Sequence, residues 1–173
     1  MVEIRDQATA RPPATSAGLL RLFDKLGIPT TTVSHPAVFT VEQAKTLCGD
    51  LPGTHCKNLF LRDAKGQLWL VVAREDTQVD LRALAGKLGS KRLSFVRADL
   101  LMDVLGVIPG AVTPFAVVND HRGLVKTVLD RALLAEARLN FHPLDNAMTT
   151  TISSRDLLHF LESTGHAPLI VDL

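Results

Sequence analysis

A lysine and an asparagine stand together at the start of an otherwise apolar run, Lys57-Asn58-Leu59-Phe60-Leu61. A second apolar run, 68–73, follows a short turn that contains Gly66, and this pattern predicts a β-hairpin. An ammonium and an amide are out of place at the start of a plain core strand. Strand alternation that turns Lys57 outward is the ordinary explanation, and two further segments favour a functional site instead.

The first of these segments is a glycine-containing loop, 106–115, whose residues include Gly106, Gly110 and Ala111. Glycines allow close backbone approach, and main-chain N–H groups in such a loop can support negative charge on a carbonyl oxygen. By spacing alone, a plain turn into the next strand explains this loop equally well.

The second segment places His142 before Pro143 at the end of a predicted strand, with Asn146 and a run of threonines after it. Polar groups clustered between apolar elements are typical of a pocket rim. An imidazole titrates near neutrality, so His142 is a candidate general base, although its position fits a wall residue at least as well. We favour the wall.

Cap residues and apolar spacing predict the elements that position these segments. Helices are expected near 16–26, 40–48, 80–88, 99–105 and 154–164, and strands near 30–34, 57–61, 68–73, 115–118, 124–129 and 168–171. The strands at 115–118 and 124–129 are expected to pair as a hairpin. Short strands that alternate irregularly with helices predict a single α+β domain over 16–173, with a mixed, curved β-sheet flanked by helices. Residues 1–15 are expected to form a flexible arm.

Composition narrows the function classes. The 173 residues are 46% apolar and include 19 Lys and Arg against 18 Asp and Glu, which disfavours a strongly basic nucleic-acid binder. Any RNA contact must be a local patch, and the densest candidate comprises Lys87, Lys91, Arg92 and Arg97, which fits a solvated surface equally well. The sequence lacks a membrane span or signal-peptide core, so we expect a cytoplasmic protein.

The two cysteines, Cys48 and Cys56, are too few for a zinc site and are expected to be small buried residues. A thiol enzyme that uses Cys56 beside His55 is the alternative. It has poor geometry, because adjacent strand residues face opposite sides.

The three segments together, with His35-Pro36-Ala37-Val38-Phe39-Thr40, resemble the YbaK/ProX family, the free-standing relatives of the prolyl-tRNA synthetase editing domain. The similarity runs from about Gly18 to Leu173. Within the family, the pattern is similar to the branch that deacylates alanine mischarged on proline tRNA. The cysteine-specific branch tends to have Lys-Thr at the strand start and a Gly-Gly-x-Ser-Pro loop, and both are missing from this sequence.

The resemblance implies a hydrolase that cleaves the aminoacyl ester at the tRNA 3′ end, without metal or other cofactor. It assigns catalysis to Lys57, Asn58 and Gly110. It assigns substrate binding to His142, Gly106 and Ala111. Candidates for the pocket walls are Val38, Phe39, Phe60 and Met148.

The expected partner is the acceptor end of mischarged tRNA(Pro), and the sequence leaves open whether a prolyl-tRNA synthetase or an elongation factor assists. It also leaves open the oligomeric state and the amino acid removed. Alanine is the first candidate, and serine and cysteine are the next. The alternative from a different functional class is a non-catalytic module that binds tRNA or an amino acid.

Overall fold

A computed structural model of the protein describes residues 11–48 and 50–173. Its α-helices are α1 Ser16–Leu26, α2 Val41–Cys48, α3 Leu81–Leu88, α4 Ala98–Leu105 and α5 Ser154–Ser163. Its strands are β1 Thr31–Ser34, β2 Thr54–Asp63, β3 Leu68–Arg74, β4 Leu93–Phe95, β5 Val125–Asp130, β6 Leu139–Phe141, β7 Met148–Ile152 and β8 Leu169–Val171. Short 3₁₀ helices span Pro109–Ala111, Pro114–Asn119 and Arg131–Ala135. None of these helices is long and apolar enough to cross a lipid bilayer.

Local cap chemistry determines where the helices begin and end. The Thr15 hydroxyl accepts from the Gly18 N–H at 3.0 Å, and Gly27 ends α1 in the left-handed conformation. At α2, the Thr40 hydroxyl accepts from the Gln43 N–H at 3.1 Å, while the Gln43 side chain accepts from Thr40 in return. The helix starts predicted from these caps are confirmed.

Strand β2 is central to the sheet, whose strand order is β1-β7-β6-β2-β3-β5-β8. It pairs antiparallel with β3 from Cys56 to Arg62 and with β4 near its end. At its start, Thr54 and His55 pair in parallel with β6. Parallel and antiparallel pairs therefore occur in one sheet, as expected for an α+β domain with a mixed sheet.

Alternation along β2 sends its side chains into two separate cores. Phe60 belongs to the larger core, which also contains buried side chains of α1, α4 and α5. Leu61 belongs to a smaller core on the other face, where it packs with Leu84 and Ala85 of α3. Because successive strand residues face opposite sides, both faces of β2 are covered in this part of the sheet.

The expected hairpin between 115–118 and 124–129 is wrong, because residues Pro114–Asn119 form a 3₁₀ helix. The Thr113 hydroxyl caps it by accepting from the Phe115 N–H at 3.3 Å, and Pro114 favours a helical start. Strand β5 instead pairs in parallel with β3 and β8. An apolar run buried among helices has the same composition as a buried strand.

The predicted arm at 1–15 falls mostly on residues 1–10, which lie outside the described residues. Next to the domain, the Ala14 N–H donates to Asn119 Oδ1 at 2.8 Å. The Ser16 hydroxyl donates to the Pro143 carbonyl at 2.6 Å. The chain is therefore attached to the domain body from about Ala14, slightly before the predicted boundary.

Phe115 is at the centre of an aromatic cluster in the larger core, with ring centroids 5.0–5.5 Å from those of Phe23, Phe141 and Phe160. We expect Phe115→Ala to lower the free energy of unfolding by about 3–5 kcal/mol, since it leaves a cavity among rings. The control Phe95→Ala removes a ring that is 65% exposed and should change it by less than about 0.5 kcal/mol. Urea unfolding measures both values, and equal losses would contradict this description of the core.

Candidate active site

A cavity of about 220 Å³ opens beside the first half of β2. It is lined by Val38, Phe39, Thr40, Ala44, Cys48, His55, Cys56, Lys57, Asn58, Glu75, Pro109, Gly110, Val112, Asn140, Phe141, His142 and Thr149. The volume lies below the roughly 300–1,000 Å³ of pockets for drug-sized ligands, so the cavity suits a small chemical group. All three residues predicted to be catalytic, Lys57, Asn58 and Gly110, are on its wall.

Lys57 is half-buried, and its ammonium donates a hydrogen bond to the Thr77 carbonyl in the loop after β3. This bond holds the lysine side chain against the end of the β-hairpin. An ammonium has three N–H donors, so Lys57 can keep this bond and still donate to a ligand oxygen.

Asn58 connects β2 with the glycine-containing loop. Its Nδ2 donates to the Val112 carbonyl at 3.1 Å, and because a carbonyl only accepts, this bond fixes which way the amide faces. Its Oδ1 is buried and has no partner in the described part of the chain. Asn58 therefore presents an unused acceptor at the cavity.

Gly110 packs closely against the segment that contains Val38 and Phe39. A Cβ added there would lie 3.3 Å from Asn146 Nδ2, 3.4 Å from Phe39 Cδ1 and 3.5 Å from the Val38 carbonyl oxygen. Asn146 also holds that segment, since its Nδ2 donates to the Val38 carbonyl at 2.8 Å. A side chain at position 110 would therefore crowd Asn146, which itself holds the Val38 segment beside this glycine.

His142 is held in one tautomer. Its Nδ1 lies 2.7 Å from the Met148 carbonyl oxygen, which only accepts, so Nδ1 bears the hydrogen. Burial lowers the pKa of His142 below its ordinary 6.5, the Met148 bond opposes this shift, and the nearby His35 adds to it. Near pH 7 the imidazole is therefore neutral, with an unshared electron pair on Nε2.

This sequence matches the family described as "Aminoacyl-tRNA editing domain" over residues 35–160. The chain belongs to this family. Prolyl-tRNA editing protein ProX of Acetoanaerobium sticklandii is 38% identical over 152 residues, which cover 87% of this chain and 93% of that protein. Prolyl-tRNA synthetase associated domain-containing protein 1 of Bos taurus is 41% identical over 161 residues, covering 90% of this chain and 94% of that protein. The resemblance to the YbaK/ProX family is thus confirmed.

Solved structures show the same fold. A crystal structure described as a candidate trans-editing enzyme for prolyl-tRNA synthetase superposes with a TM-score of 0.71 at 20% identity, covering 92% of this chain and 97% of that chain. A hypothetical protein gives a TM-score of 0.72 at 21% identity, covering 89% and 97%. This likeness supports the α+β fold of the chain.

Two residues that we assigned to substrate binding in the editing domain lie away from the cavity. Gly106 ends α4 in the left-handed conformation, and a Cβ there would come within 2.8 Å of both Asn119 Nδ2 and Pro13 Cβ. Ala111 is buried in the larger core, and its N–H donates to the Ile108 carbonyl at 2.9 Å. Both residues position the loop; its contact with the cavity is made by Pro109, Gly110 and Val112.

Two of the four predicted wall residues also lie elsewhere. Val38 and Phe39 line the cavity, and Phe39 is 64% exposed at its mouth. Phe60 is buried in the larger core, further along β2 than the cavity. Met148 contributes its backbone carbonyl to His142, while its side chain is not among those that line the cavity.

The predicted basic cluster lies at the other end of β2. Strand β4, which separates Arg92 from Arg97, pairs with Leu61–Asp63, about 15 Å along the strand from Lys57 at roughly 3.3 Å per residue. The Lys87 ammonium donates to the Asp172 carbonyl, and Arg97 lies 3.7 Å from Asp99. Lys91 and Arg92 form no ion pair within the described ranges, so they are the two basic groups most available to a partner.

The cavity gives no support to a thiol enzyme. Burial raises the pKa of the Cys56 thiol to about 12, with smaller opposing and reinforcing effects from its neighbours. A thiol with that pKa is protonated at neutral pH and is a poor nucleophile. Cys48 is buried and unpaired with Cys56. Within 11–48 and 50–173, no group of three or more His, Cys, Asp or Glu is arranged to hold a metal ion.

Sequence reasoning missed the polar residue Glu75 on the cavity wall. Glu75 follows β3 and looks like a solvated residue in the sequence. Thr149 belongs to the run of threonines expected at a pocket rim, and its hydroxyl, on the cavity wall, lies 2.8 Å from His35 Nε2. The β2–β3 hairpin places Glu75 opposite His55, and the pairing of β7 with β1 and β6 places Thr149.

The lowered pKa of His142 predicts a pH effect on stability. The unfolded chain binds a proton on this imidazole more tightly than the folded chain, so its contribution, fully present above about pH 6.5, is lost as the pH falls through the lower folded pKa. Between pH 6.5 and 5, the free energy of unfolding should fall more steeply for wild type than for His142→Gln. Urea titrations measure this slope. The exposed control His121→Gln should retain the wild-type slope, and identical slopes for all three proteins would contradict the prediction.

Proposed function

We propose that this editing domain is a trans-editing hydrolase that removes alanine from mischarged tRNA(Pro) by cleaving the aminoacyl ester at the tRNA 3′ end. The main support is that Lys57, Asn58, Gly110 and His142 line one small cavity. The name of the Acetoanaerobium sticklandii relative, which refers to prolyl-tRNA editing, supports tRNA(Pro) as the carrier.

The ester needs support for the negative charge that develops on its carbonyl oxygen. The Lys57 ammonium and the backbone N–H of Gly110 supply this support in a small cavity, and preorganised donors of this kind stabilise an oxyanion strongly. The close packing around Gly110 keeps its backbone, rather than a side chain, against the ligand. An aminoacyl ester is already activated, so these groups suffice without a covalent nucleophile.

The attacking group is a water molecule. Its oxygen forms a bond to the carbonyl carbon, the bond from that carbon to the ribose oxygen breaks, and a water proton is transferred to the leaving ribose oxygen. The neighbouring ribose hydroxyl orients the water and relays the proton, while Asn58 Oδ1 accepts from the water or from the substrate amine. His142 is a wall residue in this scheme. Its neutral Nε2 makes it the alternative general base.

Size selects the amino acid. A synthetase pocket built for proline rejects smaller alanine weakly, because each missing methylene costs only about 1–3 kcal/mol. A second, smaller site removes the error by admitting alanine and excluding the proline ring. Val38 and Phe39, which pack beside Gly110 and line the cavity, form the wall that sets this limit.

The deciding experiment compares hydrolysis of alanyl, seryl, cysteinyl and prolyl esters on tRNA(Pro), with EDTA present. We expect the wild type to release alanine fastest and to leave proline in place. Lys57→Ala should lower kcat/KM for the alanyl ester about 100- to 1,000-fold, as expected for loss of an oxyanion donor. Lys65→Ala, which removes an exposed lysine from the turn between β2 and β3, is the matched control and should retain full activity.

Other outcomes of this experiment identify the alternatives. Fastest release of serine or cysteine would assign the enzyme to another small amino acid. Binding of tRNA without hydrolysis of any ester would instead identify the protein as a non-catalytic binding module.

We further propose that Lys91 and Arg92, with Lys87 and Arg97 beside them, contact phosphates of the tRNA acceptor stem. Lys91 and Arg92 are exposed, and they precede β4, which pairs with the end of β2 about 15 Å from Lys57. That distance lets one end of the domain hold the stem while the other end holds the terminal ester.

Charge reversal tests this contact. Lys91→Glu with Arg92→Glu should weaken tRNA binding and lower the slope of log K against log salt by about 1–2, since each lost phosphate contact removes about one released counterion. Filter binding over a salt series measures the slope. Arg155→Glu, an exposed change on α5, should leave it unaltered. An unchanged slope in the double variant would rule out the contact.

A further inference from the structure

Three buried side-chain atoms in the described chain have no hydrogen-bond partner: His55 Nε2, Asn58 Oδ1 and Glu75 Oε1. All three residues line the candidate active site. Buried polar atoms in proteins are nearly always paired, because an unpaired one costs about 1–3 kcal/mol. Because all three lie on one cavity wall, a ligand in this cavity can supply their partners.

Glu75 and His55 lie directly opposite each other on adjoining strands. The Glu75 N–H donates to the His55 carbonyl at 2.9 Å, which continues the register that pairs Cys56 with Arg74. Side chains of opposed residues in an antiparallel pair share one face, with Cβ atoms about 4.5–5.5 Å apart. The side chains of His55 and Glu75 therefore lie on the same face of the hairpin, and both residues line the cavity.

The negative charge of Glu75 is not neutralised by the surrounding described residues. Glu75 forms no ion pair among them, and its neighbour Arg74 instead pairs with Asp76 at 3.3 Å and Glu136 at 3.2 Å. Lys57, on the same cavity wall, donates to the Thr77 carbonyl. A partly buried carboxylate with a free acceptor oxygen in a small cavity favours a cationic ligand group.

We infer that Glu75 is the receptor for the α-ammonium group of the aminoacyl ester, an inference that rests on the proposed deacylase function. Every aminoacyl ester presents an ammonium next to the carbonyl that reacts, and its N–H groups are the donors that Glu75 Oε1 lacks. This contact orients the carbonyl towards Lys57 and Gly110. It also leaves Asn58 Oδ1 to accept from the attacking water.

The same contact gives the site a second basis of selection besides size. An ester whose amine is acylated, as in peptidyl-tRNA, has lost the positive charge and two N–H donors. Such an ester leaves the Glu75 carboxylate unpaired in the cavity, which is costly. The domain should therefore discriminate against N-acylated esters, including one with a substituent as small as acetyl.

The test compares two ester substrates, one with an α-ammonium and one with an α-hydroxyl group, in wild type and in Glu75→Gln. The substrates are tRNA(Pro) esterified with the amino acid that wild type removes fastest and with its α-hydroxy analogue, lactate when that amino acid is alanine. Assays run at pH 7, below the α-amino pKa of about 7.7–8.0. Glu75→Gln should lower kcat/KM for the ammonium ester about 10- to 100-fold and change that for the hydroxy ester by less than about twofold.

Two further variants complete the test. Glu75→Asp keeps the charge and should recover part of the lost activity, and Glu162→Gln, which removes an exposed charge on α5, should match wild type with both esters. The hydroxy ester also reports whether the variant site is intact. Equal losses with both esters, or no loss with either, would overturn the role of Glu75 while leaving the hydrolase in place. Failure of wild type on every aminoacyl ester would instead overturn the proposed function.

Discussion

The pairing of β2 is the constraint on which the rest of the structure depends. This strand joins β6 at its start, β3 along most of its length and β4 at its end. Its alternate side chains Phe60 and Leu61 are buried in two different cores, so a one-residue slip would exchange the residues of both cores. The register that keeps these residues in their cores also fixes the positions of Lys57 and Asn58, since they belong to the same strand.

Hydrogen bonds from side chains to backbone then hold the loops around this strand. Asn58 binds the loop at Val112, Asn146 binds the wall at Val38, and His142 binds the Met148 carbonyl. The first two bonds connect segments that are far apart along the chain, and the third closes a short turn. Each bond satisfies a backbone carbonyl near the cavity. The backbone of the site is thus held by well-paired groups, while unpaired atoms remain where a ligand would lie.

The chemistry that this arrangement suits uses position and charge rather than a protein nucleophile. Cys56 remains a neutral thiol because it is buried, and the His142 imidazole is neutral for the same reason. What the cavity offers is an ammonium, a closely packed glycine backbone and unused acceptors. In the function that we propose, these groups complement an activated ester with an ammonium beside it.

The sequence by itself determined the local features: the helix caps, the hairpin of β2 and β3, and the motifs containing Lys57, Gly110 and His142. These depend on neighbouring residues or on short patterns similar to those of the family. The tertiary structure decided which side chains face the cavity. It placed Phe60 and Ala111 in the core, and it brought Glu75 to the site. The reason is that the side of a strand or loop on which a cavity opens depends on partner strands distant in sequence, whereas caps, turns and alternation act over a few residues.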